Sequence, residues 1–193
     1  MKLEPASRVA IEYACKHFHY AKVVPAVSVA YAVFEDEKWC GVIIYGPGAS
    51  AKMGESIGLM QGQFVELVRV ALNGKQSATS KALGASLRAL KRDAPTLKAV
   101  VSYADKGQNH IGTIYQATNW TLIEEIKSSG VEYLYKGKWT HDRARYEWNV
   151  DFKKLPKRKK AGKYKYVYFF DKKIKNQFAP IPYPKRAIDS LQT

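Results

Sequence analysis

Apolar residues recur along this chain with two periods, and the switches between them lay out its elements. Val9, Ala10, Tyr13, Ala14 and Phe18 fall on one side of a helical wheel and Arg8, Glu12 and Lys16 on another, which predicts an amphipathic helix over residues 6–20. Residues 27–34 and 38–45 are strongly apolar runs on either side of Glu35-Asp36-Glu37 and predict an antiparallel hairpin of two buried strands. Residues 64–72 alternate as a further strand, with Glu66 and Val68 on one face and Leu67 and Arg69 on the other. Leu83, Leu87 and Leu90 stand at core spacing in a helix over 80–91, which Asp93-Ala94-Pro95 ends, and residues 97–103 return to the sheet. A strand, helix, strand unit of this length implies a right-handed parallel crossover. Residues 121–126 and 131–135 predict two more strands around Ser128-Ser129-Gly130, and Tyr164, Tyr166 and Tyr168 share one face of a strand near the end of the chain.

Chemistry concentrates where these periods break. The run 99–103 ends at Asp105 and a polar loop, after which Ile111, Ile114, Tyr115 and Thr118 recur at helical spacing up to Trp120. Ligands gather at the carboxyl ends of strands in open sheets, so Asp105 is the first candidate, with a plain connector and a solvated carboxylate as the alternative. His19 and Tyr20 close the first helix before Pro25, either as site residues near an exposed turn or as a partly buried cap. Arg69 sits inside an apolar strand, and an unpaired buried charge costs several kcal/mol or more, so it must reach an anion, a carboxylate or solvent. The helix start at residues 77–80 lacks acidic residues and, with Lys75 and Arg69 nearby, fits an anion site, although capping by Ser77, Thr79 or Ser80 explains the same pattern.

Charge adds a partner. The chain has 193 residues, 32 Lys+Arg against 17 Asp+Glu and 46% hydrophobic content, enough for one medium domain with a real core. Residues 138–193 hold 16 Lys+Arg and 5 Asp+Glu, a net +11 of the total +15, leaving +4 for residues 1–137. The run Lys153, Lys154, Lys157, Arg158, Lys159 and Lys160 contains no carboxylate, and Arg143, Arg145, Tyr146, Trp148, Lys163, Lys165 and the tyrosines interleave aromatic rings with cations. That combination points to nucleic acid, with a solvated tail or an anionic membrane patch as alternatives. Cys15 and Cys40 form neither a C-x-x-C pair nor a metal-type spacing with histidine, and no apolar run reaches transmembrane or signal-peptide form, so a reduced, cytoplasmic protein is expected.

The element order, with residues 112–120 as a short helix carrying a tyrosine and leaving through Asn119-Trp120, resembles the GNAT acyltransferases. Several segments in order resemble more specifically the Mom DNA-modification proteins of bacteriophages: His19-Tyr20 before a proline-containing turn, residues 40–46, Leu67-Val68-Arg69-Val70, Ser102-Tyr103-Ala104-Asp105 followed by residues 110–117, and Pro182-Tyr183-Pro184-Lys185. The resemblance implies an α+β fold, a GNAT-like mixed central sheet flanked by helices, with a catalytic domain over residues 1–137 and a basic aromatic extension over 138–193 packed on it. It implies conversion of adenine in double-stranded DNA to an N6-carbamoylmethyl form that protects phage DNA from host restriction. His19, Tyr20, Asp105 and Tyr115 would then line the reaction centre, Arg69 and Ser80 would hold the donor, and Lys153, Lys154, Lys157, Arg158, Lys159, Lys160, Lys163 and Lys165 would meet the nucleic acid. The donor would be acetyl coenzyme A or another acyl or aminoacyl carrier, and His19 with Asp105 offers two ligands for an iron ion. Two features depart from plain acetyl transfer. Residues 73–80 contain only Gly74 where GNAT proteins carry a glycine-rich diphosphate loop, and carbamoylmethylation forms an N–CH2 bond rather than an N-acyl one. A GNAT-like acetyltransferase acting on RNA, protein or a small amine, and a non-catalytic nucleic-acid-binding protein, are the competing expectations.

Overall fold

The computed structural model of the chain describes residues 1–50, 52–128, 130–141 and 150–185. Ser7 caps the first helix, α1 (Arg8–Phe18), by accepting the Ala10 N–H, and the strand before it, β1 (Lys2–Pro5), is an edge strand the sequence pattern did not reveal. The predicted hairpin forms as β2 (Val29–Glu35) and β3 (Lys38–Gly46). There follow a short helix α2 (Lys52–Glu55), β4 (Phe64–Leu72), α3 (Thr79–Asp93), β5 (Ala99–Asp105), the single-turn α4 (Thr113–Gln116) and β6 (Thr121–Ile126). Beyond them come β7 (Val131–Tyr135), β8 (Lys138–His141), β9 (Lys157–Lys159), β10 (Lys163–Phe169) and α5 (Lys172–Lys175).

Seven strands make one sheet in the order β1-β2-β3-β4-β5-β10-β6. Every neighbouring pair is antiparallel except β4 and β5, which run parallel as the crossover through α3 requires. One face buries Leu83, Leu87 and Leu90 of α3 with Val65, Leu67, Val100, Trp120 and Tyr166. The other receives Ile11, Ala14 and Cys15 of α1 over Val42, Ile44 and Ala71, and Met53, Ile57 and Leu59 over Phe64, Ala99 and Val101.

Two sequence expectations change. The boundary at residue 137 falls inside the β7–β8 hairpin, and β10, expected as part of an appended extension, lies within the central sheet between β5 and β6. Its alternation explains why: Tyr166 and Val167 are both fully buried, one on each face, so the strand completes the core. The second change is in β4. Its register against β3 shifts between Ile44↔Arg69 and Tyr45↔Leu67, a bulge that leaves Val68 unmatched. Leu67 and Val70, rather than Leu67 and Arg69, therefore pack on the α3 side. The aromatic and basic residues Arg143, Arg145, Tyr146 and Trp148 lie outside the described residues.

Candidate active site

The site begins where two strands stop pairing. β4 and β5 are joined only through Phe64↔Ala99, Val65↔Val100 and Glu66↔Val101, and beyond that point the Ser102 hydroxyl donates to the Leu67 carbonyl at 2.9 Å in place of a backbone bond. The parting opens a cavity of about 280 Å³ lined by Phe18, His19 and Tyr20 after α1, Glu66 to Val70 of β4, Ser102 and Tyr103 of β5, His110, Ile114, Tyr115 and Lys163. Five of the candidates thus meet in one place: His19, Tyr20, Arg69 and Tyr115, with Lys163, which was expected at the nucleic acid.

Tyr115 is carried inward by α4, whose preceding residue Gly112 adopts a left-handed φ of +81° and abuts Tyr166 so closely that a Cβ there would overlap the ring. Burial pushes the Tyr115 hydroxyl up to about 12, and it lies 2.9 Å from Ser102 Oγ. Because the one Ser102 proton goes to Leu67, Tyr115 is the donor of that pair. His19 ends α1 in extended conformation, and its Nδ1 accepts the Ala21 N–H at 3.1 Å. Burial first, then Arg69, His110 and Lys22, bring its pKa down to about 4. At neutral pH the ring is therefore uncharged with its proton on Nε2, a hydrogen-bond donor; acting as a base through Nε2 would require breaking the Ala21 bond. Tyr20 stands half exposed at the rim, edge-on to His110 at 5.9 Å, with its hydroxyl held above its ordinary value by partial burial and by Asp105. Arg69 donates through Nη1 to the Val68 carbonyl at 2.7 Å, a bond the bulge makes available, and its buried Nε has no partner among the described residues.

The other candidates lie elsewhere. Asp105 is not among the cavity-lining residues; its carboxylate accepts the Gly107 N–H and caps the short turn Lys106–Gln108, close enough to Tyr20 to act on it electrostatically. Ser80 sits in the first turn of α3, which packs on the opposite side of the sheet from α1, and does not line the cavity. Just before α3, Ser77 donates both its N–H and its hydroxyl to the Glu35 carboxylate at the end of β2, so a carboxylate of the chain itself engages the loop where a diphosphate cradle was expected. Lys165, expected at the nucleic acid, is 3% exposed and hydrogen-bonds to Ser56 beneath the α2 segment, because its β10 position faces the core; it cannot reach a phosphate. Among the described residues no group of three His, Cys, Asp or Glu side chains is arranged to hold a metal ion, so His19 and Asp105 gain no third ligand and an iron ion on them is not supported.

Glu66, Ser102 and His110 line the cavity without having been singled out from the sequence. Glu66 carried a readable signal, the same as that of Arg69: a charge inside an apolar strand. Burial raises its pKa, opposed by Lys163, the Ala49 N–H and Arg69. The arrangement can hold an extended arm along the unpaired strand edges, an anionic group at Arg69, and proton donors at Tyr115 and His19.

Solved structures of the same architecture include NAA60 of Arabidopsis thaliana in complex with acetyl-CoA (TM-score 0.55, 13% identity, 88% of this chain and 98% of that one). Others are the smu.2055 protein of Streptococcus mutans (TM-score 0.53, 12% identity, 89% and 100%) and the spermidine/spermine N-acetyltransferase SpeG of Vibrio cholerae (TM-score 0.52, 6% identity, 91% and 95%). At these identities the likeness establishes the GNAT acetyltransferase fold. A search of curated proteins finds no match. The Mom protein family model, by contrast, matches residues 1–185, nearly the whole chain, and the protein belongs to the Mom family.

Proposed function

We infer that this chain is a GNAT-fold transferase that modifies adenine in duplex DNA to an N6-carbamoylmethyl form, shielding phage DNA from host restriction enzymes. Membership of the Mom family supports the reaction class, and the observation that carries the reading is the cavity between β4 and β5, polar in lining and flanked by Lys163. An adenine N6 inside a duplex is out of reach of such a recess, so the target base is flipped into it.

Within the cavity Tyr115 gives a proton to the departing carrier, and His19 Nε2–H and Arg69 orient the incoming group through neutral and charge-assisted hydrogen bonds respectively. Glu66, a carboxylate whose pKa burial raises, is suited to take the proton that leaves N6 as the new bond forms. The unpaired edges of β4 and β5 fit the extended arm of a coenzyme A-type carrier; an ordinary acyl thioester would leave N6 acylated, so the carbamoylmethyl product requires a group held to its carrier through the methylene carbon, with the carrier–CH2 bond breaking as the N6–CH2 bond forms. The loop before α3 does not offer a free diphosphate cradle, since Glu35 engages Ser77.

The test is mass spectrometry of nucleosides from plasmid DNA of cells expressing the chain, beside cells expressing Asp105→Ala and Tyr115→Phe. A carbamoylmethyl-adenine nucleoside with the parent chain and its loss in Tyr115→Phe support the reading. Unmodified DNA from a folded, expressed parent overturns it, and acetyl groups on RNA, protein or a polyamine in the same cells would establish the acetyltransferase alternative.

A further inference from the structure

The small sheet β8-β7-β9 has two faces of opposite electrostatic character. Residues directly opposite one another in a sheet project to the same side, and successive residues alternate. Glu132 pairs with Arg158 and Leu134 with Trp139, whereas Val131 pairs with Lys159, Tyr133 with Thr140 and Lys157, and Tyr135 with Lys138. On the first face charge is closed internally. Arg158 donates from Nε and Nη2 to the Glu132 carboxylate, both at 2.9 Å, and its guanidinium lies 4.4 Å over the Trp139 ring. The second face carries Lys138, Lys157 and Lys159, all exposed, and none has a carboxylate within 4.0 Å among the described residues. Lys136 joins them from the hairpin tip, its ammonium 5.3 Å from the Tyr135 ring centroid. Lys136 and Gly137 form a two-residue turn with φ of +47° and +75°, the mirror-image geometry that holds a hairpin rigid.

This surface is tied to the cavity by a short tether. Lys159 ends β9 and Lys163 begins β10, so the two are separated by at most about 14 Å of chain. Lys163 lines the cavity, its ammonium 5.7 Å over Tyr103. A stiff, one-sided array of four cations beside a site that must receive a flipped base has the properties of a duplex clamp. The wing has three strands, so it meets a duplex with its lysine face laid against the backbone rather than by entering the major groove as a two-stranded ribbon would.

Resting on the DNA reading above, we propose that the Lys136, Lys138, Lys157 and Lys159 face of the β7–β8–β9 wing is the surface that grips the backbone of duplex DNA, and that Arg158 holds the wing together rather than touching the nucleic acid. The basic run is thereby divided by strand register: alternate residues meet phosphate, and the residue between them closes an internal ion pair.

The experiment measures binding of a 30-base-pair duplex by the full chain as a function of salt. Each phosphate that a lysine neutralises adds about 0.9 to the steepness of log affinity against log salt, so replacing all four lysines by Gln flattens the slope by about 3.6. The charge-neutral double replacement Glu132→Gln/Arg158→Gln leaves the slope unchanged. Lys157→Gln/Lys159→Gln alone, a gentler change should the quadruple variant fold poorly, flattens it by about 1.8. A folded lysine variant with the parent's slope overturns the wing assignment while leaving the DNA reading intact. A slope that falls with the Glu132/Arg158 pair instead overturns the division of roles, and tighter binding of a single strand than of the duplex overturns the clamp. A parent chain that binds no DNA at low salt overturns the proposed function itself, and with it the wing.

Discussion

Ser102 Oγ stands 2.9 Å from the Tyr115 hydroxyl and 2.9 Å from the Leu67 carbonyl, so one buried side chain both closes the gap left where β4 and β5 part and anchors the tyrosine at the cavity. The relationship is asymmetric, and its asymmetry can be measured. Ser102→Ala strands a buried phenol and a buried carbonyl, and costs about 1–3 kcal/mol. Tyr115→Phe leaves Ser102 still donating to Leu67 and costs about 0.5–1.5 kcal/mol. Chemical denaturation should rank the two in that order, while nucleoside analysis finds modification lost in Tyr115→Phe.

His19 makes stability depend on pH in a defined window. Its folded pKa of about 4 lies below the ordinary value of 6.5, so the unfolded chain binds the proton first. The contribution is fully present above pH 6.5 and is lost as pH falls toward 4. The thermal midpoint of the parent chain should therefore drop more over that interval than that of His19→Gln. Parallel curves would place the imidazole in solvent.

Glu35 competes for the loop before α3. Removing its carboxylate in Glu35→Ala releases the Ser77 N–H and hydroxyl, and titration with coenzyme A should show several-fold tighter binding than in the parent chain. Equal affinities would mean that a diphosphate never approaches Ser77.

Gly112 is the most constrained position near the site. Gly112→Ala both drives a methyl into the Tyr166 ring and strains a left-handed backbone, so it destabilises by about 1–3 kcal/mol and displaces α4 with Tyr115. Gly74 has the same handedness with open space around it, so Gly74→Ala should lose only the backbone contribution and leave the site intact.

The local pattern by itself determined most elements. Residues 64–72, 121–126 and 131–135 form strands over the predicted spans, and the parallel crossover through α3 follows from their order, because period and connection length are properties of short stretches of chain. Arg69 was legible as well, since a charge in an apolar strand must find a polar place wherever the strand lies. What only the tertiary structure decided depends on register and on partners distant in sequence. One extra residue at Val68 reverses the facing of the second half of β4, and no periodicity announces a bulge. Lys165 and Lys163 read alike along the chain, yet one is buried beneath Ser56 and the other lines the cavity, because β10 is inserted between β5 and β6. Arg158 reads as one cation in a run, and only the strand opposite it supplies the Glu132 carboxylate that takes up its charge. The order of residues determines which groups are costly to leave alone, and the fold chooses which of them meet.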